Sequence, residues 1–167
     1  ETVVINKAKC NWSNIQSYLC TDNTKRFEAG DDSSVCAKDG ILYSQDMEYL
    51  IKCPKKKTGD IKIPEGVKYI VEYAFFESEI SSVTLPSTLK QIFLNAFRYS
   101  KLSKIDFGTG IKSTGSYEGN SFGDCYNLKE IEIPANITKI AKSTFYHCSN
   151  LEKVVLHEGL KSIDERA

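Results

Sequence analysis

At 167 residues the chain has the length of one ordinary domain and can bury roughly 70% of its unfolded surface, so one continuous core is expected. Lysine plus arginine balances aspartate plus glutamate at 22 each, which excludes recognition of nucleic acid or an anionic membrane by net field and leaves local surfaces to do it. No apolar run reaches the ~20 residues of a membrane span, and the sequence carries no lipidation signal.

The chain opens on Glu1 with no charged-then-apolar leader, so removal of a signal segment or excision from a longer protein is expected. Residues Thr2 to Ile5 are all β-branched and predict a short strand. Ser13 and Gln16 then have the spacing of a capping box, and Trp12, Ile15 and Leu19 share one face with Tyr18 at its edge, which predicts a short amphipathic helix covering the otherwise open first edge of a repeat array. Phe27 to Ala29 predicts the strand of an atypical first repeat, with Gly30 to Ser34 as its turn. Asp31 and Asp32 lack the further oxygen ligands at regular offsets that a calcium loop supplies. Residues 1–35 are therefore assigned to an N-terminal cap and first repeat.

Residues 36–58 predict a β-hairpin segment. Asp39-Gly40 marks a turn, Ile41-Leu42-Tyr43 faces Tyr49-Leu50-Ile51 across a polar loop, and Cys53-Pro54 ends the second strand. The run Lys55-Lys56-Lys57 has no aromatic partner and predicts a solvated connection, not a nucleic-acid site.

From residue 59 to residue 167 one apolar pattern recurs. It reads Ile61, Ile63, Pro64, Val67, Ile70, Ala74 and Phe75, then Val83, Leu85, Pro86, Leu89, Ile92, Ala96 and Phe97. A degenerate copy runs through Ile105, Phe107, Ile111, Phe122 and Cys125, a fuller one through Ile131, Ile133, Pro134, Ile137, Ile140, Phe145 and Cys148, and a last one through Val154, Leu156, Leu160 and Ile163. Four units are thus complete, and a fifth stops at Ala167, where phenylalanine is expected next in a longer array. Equivalent strand residues are 22, 22, 26 and 23 positions apart. Each unit is too small to bury its own apolar face, so a period in the low twenties implies a solenoid of stacked parallel strands. Proline cannot donate to a ladder and confines each strand to a few residues. The long spacing comes from three extra residues between Ile111 and Phe122, and Ser113 to Asn120 is expected to bulge from the side, with Tyr117 as a candidate contact.

The unit Ile131-Glu132-Ile133-Pro134 followed by Phe145-Tyr146-His147-Cys148, with its copies at Ile61-Lys62-Ile63-Pro64 and Val83-Thr84-Leu85-Pro86, resembles the BspA-like leucine-rich repeat. The segment Asp39-Gly40-Ile41-Leu42-Tyr43 is similar to one common in such proteins, so the likeness spans about residues 36–167. It departs at Gly108 and His157, where proline is usual, and at Ser78 and Ser100, where cysteine is usual. The resemblance implies an α/β repeat solenoid of short parallel strands joined by turns or short 3-10 or α segments. It further implies a surface-anchored or secreted protein, as in mucosal bacteria and trichomonads, that adheres to host cells or to matrix proteins such as fibronectin and fibrinogen.

Two sequons, Asn11-Trp12-Ser13 and Asn136-Ile137-Thr138, mark possible glycosylation sites and, with six cysteines, lean towards export. Cys10, Cys20, Cys36 and Cys53 lie in or near the cap, where one or two disulfides are possible in pairings the sequence leaves open. Cys125 and Cys148 fall on adjacent coils within disulfide reach, but serine at the same position in two other units indicates that a small buried residue is what the site needs. His147 and His157 lack the spacing of a metal site, and no serine or cysteine stands in a glycine-rich elbow, so neither metal, cofactor nor catalysis is expected.

Surface recognition is what remains. Strand alternation sends Asp60, Lys62, Ser82, Thr84, Lys104, Asp106, Glu130, Glu132, Lys153 and Val155 outward on one face, the candidate protein-binding face. The expected function is a non-catalytic adhesion module at the cell surface. The alternatives are a structural spacer and an intracellular interaction scaffold. The unfinished last unit predicts end-to-end homodimers.

Overall fold

The computed structural model describes residues 1–5, 22–31, 33–116 and 119–167. The predicted cap helix around Trp12 and Leu19, and with it Cys10, Cys20 and Asn11, lies outside the described residues, as do Asp32 and Tyr117.

Strands β1 (Thr2–Ile5) and β2 (Arg26–Ala29) lie where they were expected and pair in parallel. A strand the sequence reading overlooked, β3 (Val35–Lys38), runs antiparallel to β4 (Ile41–Ser44), which forms the predicted hairpin with β5 (Tyr49–Lys52). Both faces of this hairpin are buried, and period-two alternation explains how. Leu42 and Ile51 join Ile5, Phe27 and Val35 in a small N-terminal core, while Ile41, Tyr43 and Leu50 point the other way into the main core.

The hairpin also starts the solenoid, because β5 pairs in parallel with β7 (Tyr69–Ile70), which pairs with β9 (Gln91–Ile92). An isolated bridge from Ser113 to Lys139 carries this row on to β12 (Lys139–Ile140) and β14 (Ser162–Ile163). The neighbouring row consists of β6 (Thr58–Lys62), β8 (Glu79–Thr84) and β10 (Lys104–Asp106), then β11 (Glu130–Ile133) and β13 (Lys153–Leu156). Here Ile61 stands opposite Val83, Val83 opposite Ile105, and Ile131 opposite Val154, so the phase read from the sequence is the register of the sheet. Prolines 64, 86 and 134 each accept a turn bond from the amide three residues on, which is where the chain leaves one row for the next. Gly108 replaces proline for a steric reason: it sits at φ +57°, and a Cβ there would lie 2.4 Å from the Leu85 carbonyl oxygen.

The third side of each coil carries the phenylalanines. Phe75 stacks on Phe97 at 4.6 Å, Phe97 on Phe122 at 4.8 Å and Phe122 on Phe145 at 5.9 Å, with the first two steps matching the inter-strand spacing. No helix occurs among the described residues, so of the expected turns or short 3-10 or α segments it is turns that join the strands, and the described part is a β-solenoid without the helical component of the α/β class. The reason lies in two left-handed residues per coil, Tyr73 and Glu77, Asn95 and Tyr99, Asn120 and Asp124, Ser143 and His147, all at φ between 51° and 60°. They make successive amides alternate between targets: Phe76 N–H bonds back to Tyr73, while Phe75 and Glu77 N–H reach Ala96 and Arg98 on the next coil. A helix needs an unbroken right-handed run and sends none of these bonds outward.

The described residues of the stretch near Ile111, those other than 117–118, do not bulge as expected. Thr114 and Ser116 are buried, and the Thr114 hydroxyl bonds to Thr144 Oγ1 at 2.8 Å and accepts from the Ala141 amide at 3.0 Å. The Thr114 hydroxyl thus finds its partners inside the next coil, whereas the buried Ser116 hydroxyl has none among the described residues. At the other end of the array Val154, Leu156 and Ile163 remain about half exposed.

Candidate interaction surface

The strand face places the ten predicted residues outward and in rows. Asp60 and Ser82 are cross-strand partners, as are Lys62 and Thr84, Lys104 and Ser82, Asp106 and Thr84. Glu130 stands opposite Lys153, and Glu132 opposite Val155. Ser82 Oγ donates to Asp60 Oδ1 at 2.7 Å, Lys153 Nζ lies 3.7 Å from Glu130, and His157 Nε2 lies 2.7 Å from Glu132. His157 is exposed, as its place after a strand implies.

The ten residues do not form one uninterrupted surface. Among the described residues no ladder joins β10 to β11, so the row divides into β6–β8–β10 and β11–β13. Between the halves lies a groove of about 540 Å³ walled by Lys104 and Asp106 on one side and Glu130, Glu132 and Lys153 on the other. Strand alternation in the sequence placed these side chains; the break between their strands had no sequence signal beyond the long 26-residue spacing.

The three lysines after Pro54 are not free in solvent. Lys55 pairs with Asp22 and Glu77, Lys56 with Glu79, and Lys57 donates to the Asp39 carbonyl, so each fastens a neighbouring turn. Cys125 and Cys148 are buried thiols: burial pushes Cys125 up to about 12 and Cys148 up to about 11, so neither is a thiolate nucleophile near neutral pH. Cys125 lies against Ser100 Oγ at 3.4 Å, and the Cys148 thiol donates to the Phe122 carbonyl at 3.2 Å. Cys36 donates to the Ser44 carbonyl, and Cys53 is fully buried under the hairpin. Among the described residues no three acidic, histidine or cysteine side chains converge as metal ligands. The Asn136 side-chain amide donates to the Ile111 carbonyl at 2.9 Å, a bond a glycan at this sequon would have to give up.

A second surface was missed, on the corner just after the phenylalanine ladder. Phe76 and Tyr99 meet edge to face at 5.6 Å, and Tyr99 and Tyr126 follow at 6.5 Å, with Tyr73 against Phe76 at 5.4 Å. Tyr99 is 39% and Tyr126 46% exposed. Behind them Asp124 is almost fully buried, taking Arg98 Nε at 2.7 Å and the Tyr126 hydroxyl at 3.1 Å, with His147 Nδ1 at 3.4 Å. Burial works against its charge, but the bonds from Arg98 and Tyr126 outweigh that and hold the carboxyl below the usual range. The signal was present in the residues one, two and four places after each ladder phenylalanine, positions that a reading of buried residues passes over.

The geometry agrees with comparisons to known proteins. No curated protein matches the chain. Among solved structures, a leucine-rich cell surface protein of Faecalibacterium prausnitzii is 30% identical with a TM-score of 0.70, over 78% of this chain and 35% of that one. A leucine-rich repeat protein of Eubacterium ventriosum (18% identity, TM-score 0.61, 93% of this chain and 48% of that one) and the pneumococcal vaccine antigen PcpA (21%, 0.65, 99% and 45%) share the fold. The chain thus spans between about a third and a half of these proteins. The model of the BspA type leucine-rich repeat region matches residues 52–167 with six copies, one more than the sequence reading counted. With its register, proline turns and phenylalanine ladder all in the phase of that repeat, the chain belongs to the BspA-type leucine-rich repeat family.

Proposed function

We propose that the array is a non-catalytic recognition module of a cell-surface or secreted protein, holding a protein on host cells or in the extracellular matrix, of the fibronectin or fibrinogen kind, against its strand face. One observation carries this reading: the groove between β10 and β11, where charged side chains of both signs flank a place at which the ladder is open. Unpaired strand edges are the usual point of attack for an incoming chain. The 30% identical neighbour is described as a cell surface protein, which supports the location.

The test is binding of the 167-residue chain to immobilised matrix proteins and epithelial cells beside a K104E/E130K/E132K variant. Saturable binding lost in the variant is expected, with stability changed by less than about 1 kcal/mol because these side chains are solvated. No binding to any surface favours the spacer reading, which the coil-to-coil pairs Asp60–Ser82 and Glu130–Lys153 also support, since they satisfy the face from within. The exposed Val154, Leu156 and Ile163 further fit pairing with a second copy. Sedimentation over a concentration series that shows monomer alone overturns that pairing.

A further inference from the structure

We propose that the aromatic corner formed by Phe76, Tyr99 and Tyr126 is a second binding site, independent of the strand face, and that its ligand is a neutral oligosaccharide.

The first support is conformational. The residue two places after each ladder phenylalanine is left-handed, occupied by Glu77, Tyr99, Asp124 and His147. Only Asp124 and His147 are of types enriched there; a bulky tyrosine at φ 60° is an outlier. Tyr99 contributes little to the core in return, since its ring is 39% exposed. The left-handed turn itself serves the coil-to-coil amide bonds, Tyr99 N–H to the Gly123 carbonyl among them, so what is particular to this coil is a large ring placed there with much of its surface in solvent.

The second support is rigidity. The Arg98 guanidinium lies 4.7 Å from the centre of the Tyr99 ring and donates to its hydroxyl at 3.2 Å, while the Tyr126 hydroxyl is held by Asp124. Both phenols are tied at their polar ends, so ring surface faces solvent in a fixed orientation. Beyond Tyr126 the residue equivalent to it on the next coil is the exposed Ser149, while the rings of that coil, Tyr146 and His147, stack on each other at 3.9 Å. Tyr126 is itself 46% exposed, with His147 close by on the shared carboxylate of Asp124. Pre-organised aromatic area binds with little entropic loss.

The third support is charge, and it selects the ligand. The cations and carboxylates described along the corner are already paired: Arg98 with Asp124, Lys101 and Lys56 with Glu79, Lys55 with Glu77. No uncommitted lysine or arginine of this set is left to attract a sulfated or sialylated chain, and no uncommitted carboxylate of the set to attract a basic peptide. Aromatic faces bordered by hydroxyl and imidazole groups suit a pyranose, whose C–H face stacks while its hydroxyls reach the rim. A standard protein interface needs about 800 Å² per partner, whereas three rings on neighbouring coils match a short oligosaccharide.

The experiment probes the 167-residue chain on an array of chitooligosaccharides and of galactose- and mannose-terminated neutral glycans, with heparin and sialyllactose as charged comparators. The strongest hit is then titrated calorimetrically. At least one neutral chain should bind, Y126A and Y99A should each weaken it about tenfold or more, and Y126F, which keeps the ring, should stay within about threefold. The K104E/E130K/E132K strand-face variant should bind glycan unchanged, which separates this site from the proposed matrix-binding face. Thermal unfolding accompanies each variant; should Y99A lose stability, the half-exposed Tyr126 decides. Absence of any neutral glycan hit, glycan binding undiminished in Y126A, retention of heparin alone, or a protein ligand lost in Y126A with no glycan bound would each overturn the proposal.

Discussion

The coils before the inserted residues and those after them are built from the same unit but hold together differently. Between Ile61 and Ile105 the spacing is uniform and the ladder is continuous, and Phe75 stacks nearly parallel on Phe97 at 4.6 Å, a geometry that Phe97 keeps with Phe122 across the insertion at 4.8 Å. Across the insertion no ladder joins β10 to β11 or β9 to β12 among the described residues, and beyond it the step from Phe122 to Phe145 widens to 5.9 Å. The junction is repaired on other sides: by the Thr114–Thr144 hydroxyl pair, by the Ser113 bridge, and by Asp124, which binds Arg98 before it and His147 after it. The difference teaches that a repeat array accepts extra residues where one buried group such as the Thr114 hydroxyl can tie them to the next coil, and that the cost surfaces on other sides as open strand edges.

The largest effect that would break this contrast is loss of a ladder ring. F97A removes a fully buried phenylalanine stacked on both sides and should cost about 3–5 kcal/mol in urea unfolding. F145A, whose ring is only half-buried, should cost distinctly less. Equal losses would mean that the two regions are equally well packed. Next comes T114V, which keeps the shape but leaves the Ala141 amide without its acceptor; a loss of about 1–3 kcal/mol is expected. A neutral result would remove Thr114 from the repair.

The smallest effect is electrostatic. D124N keeps a residue type that tolerates the left-handed backbone, so it isolates the carboxylate charge and should cost about 1–2 kcal/mol. Because the folded carboxyl titrates below its unfolded value, its contribution is complete above the usual aspartate range and is lost as pH falls through the lowered folded value. The gap between wild type and D124N should therefore close on acidification. A gap that widens in acid would reverse the sign argued for Arg98 and Tyr126.

Much of this fold was legible because buried apolar residues repeat in phase. Ile61, Val83, Ile105, Ile131 and Val154 occupy equivalent strand positions, and their outward neighbours followed by alternation. Strand β3 was overlooked because Val35-Cys36-Ala37-Lys38 has one β-branched residue and no alternation; it is a strand because Ile41 to Ser44 pairs with it. Whether turns or short 3-10 or α segments join the strands was left open because apolar spacing cannot report φ, and φ is what Tyr73 and Glu77 impose. The inward path of Thr114 depended on Thr144, 30 residues away. Of the two surfaces, the strand face could be read from period two. The aromatic corner, set by exposed positions and by the Asp124 pairings, could not be reached from a pattern that follows burial.

The parallel pairing of β5 with β7 gives assembly a direction. The β3–β4–β5 meander closes over short loops, so it can form on a timescale of microseconds, whereas each later coil must bring together residues about 22 positions apart. Once formed, the meander offers β5 as a ready edge, and each coil laid on it presents the next. Growth then runs away from the hairpin, with amide exchange expected to be slowest in β4 and β5.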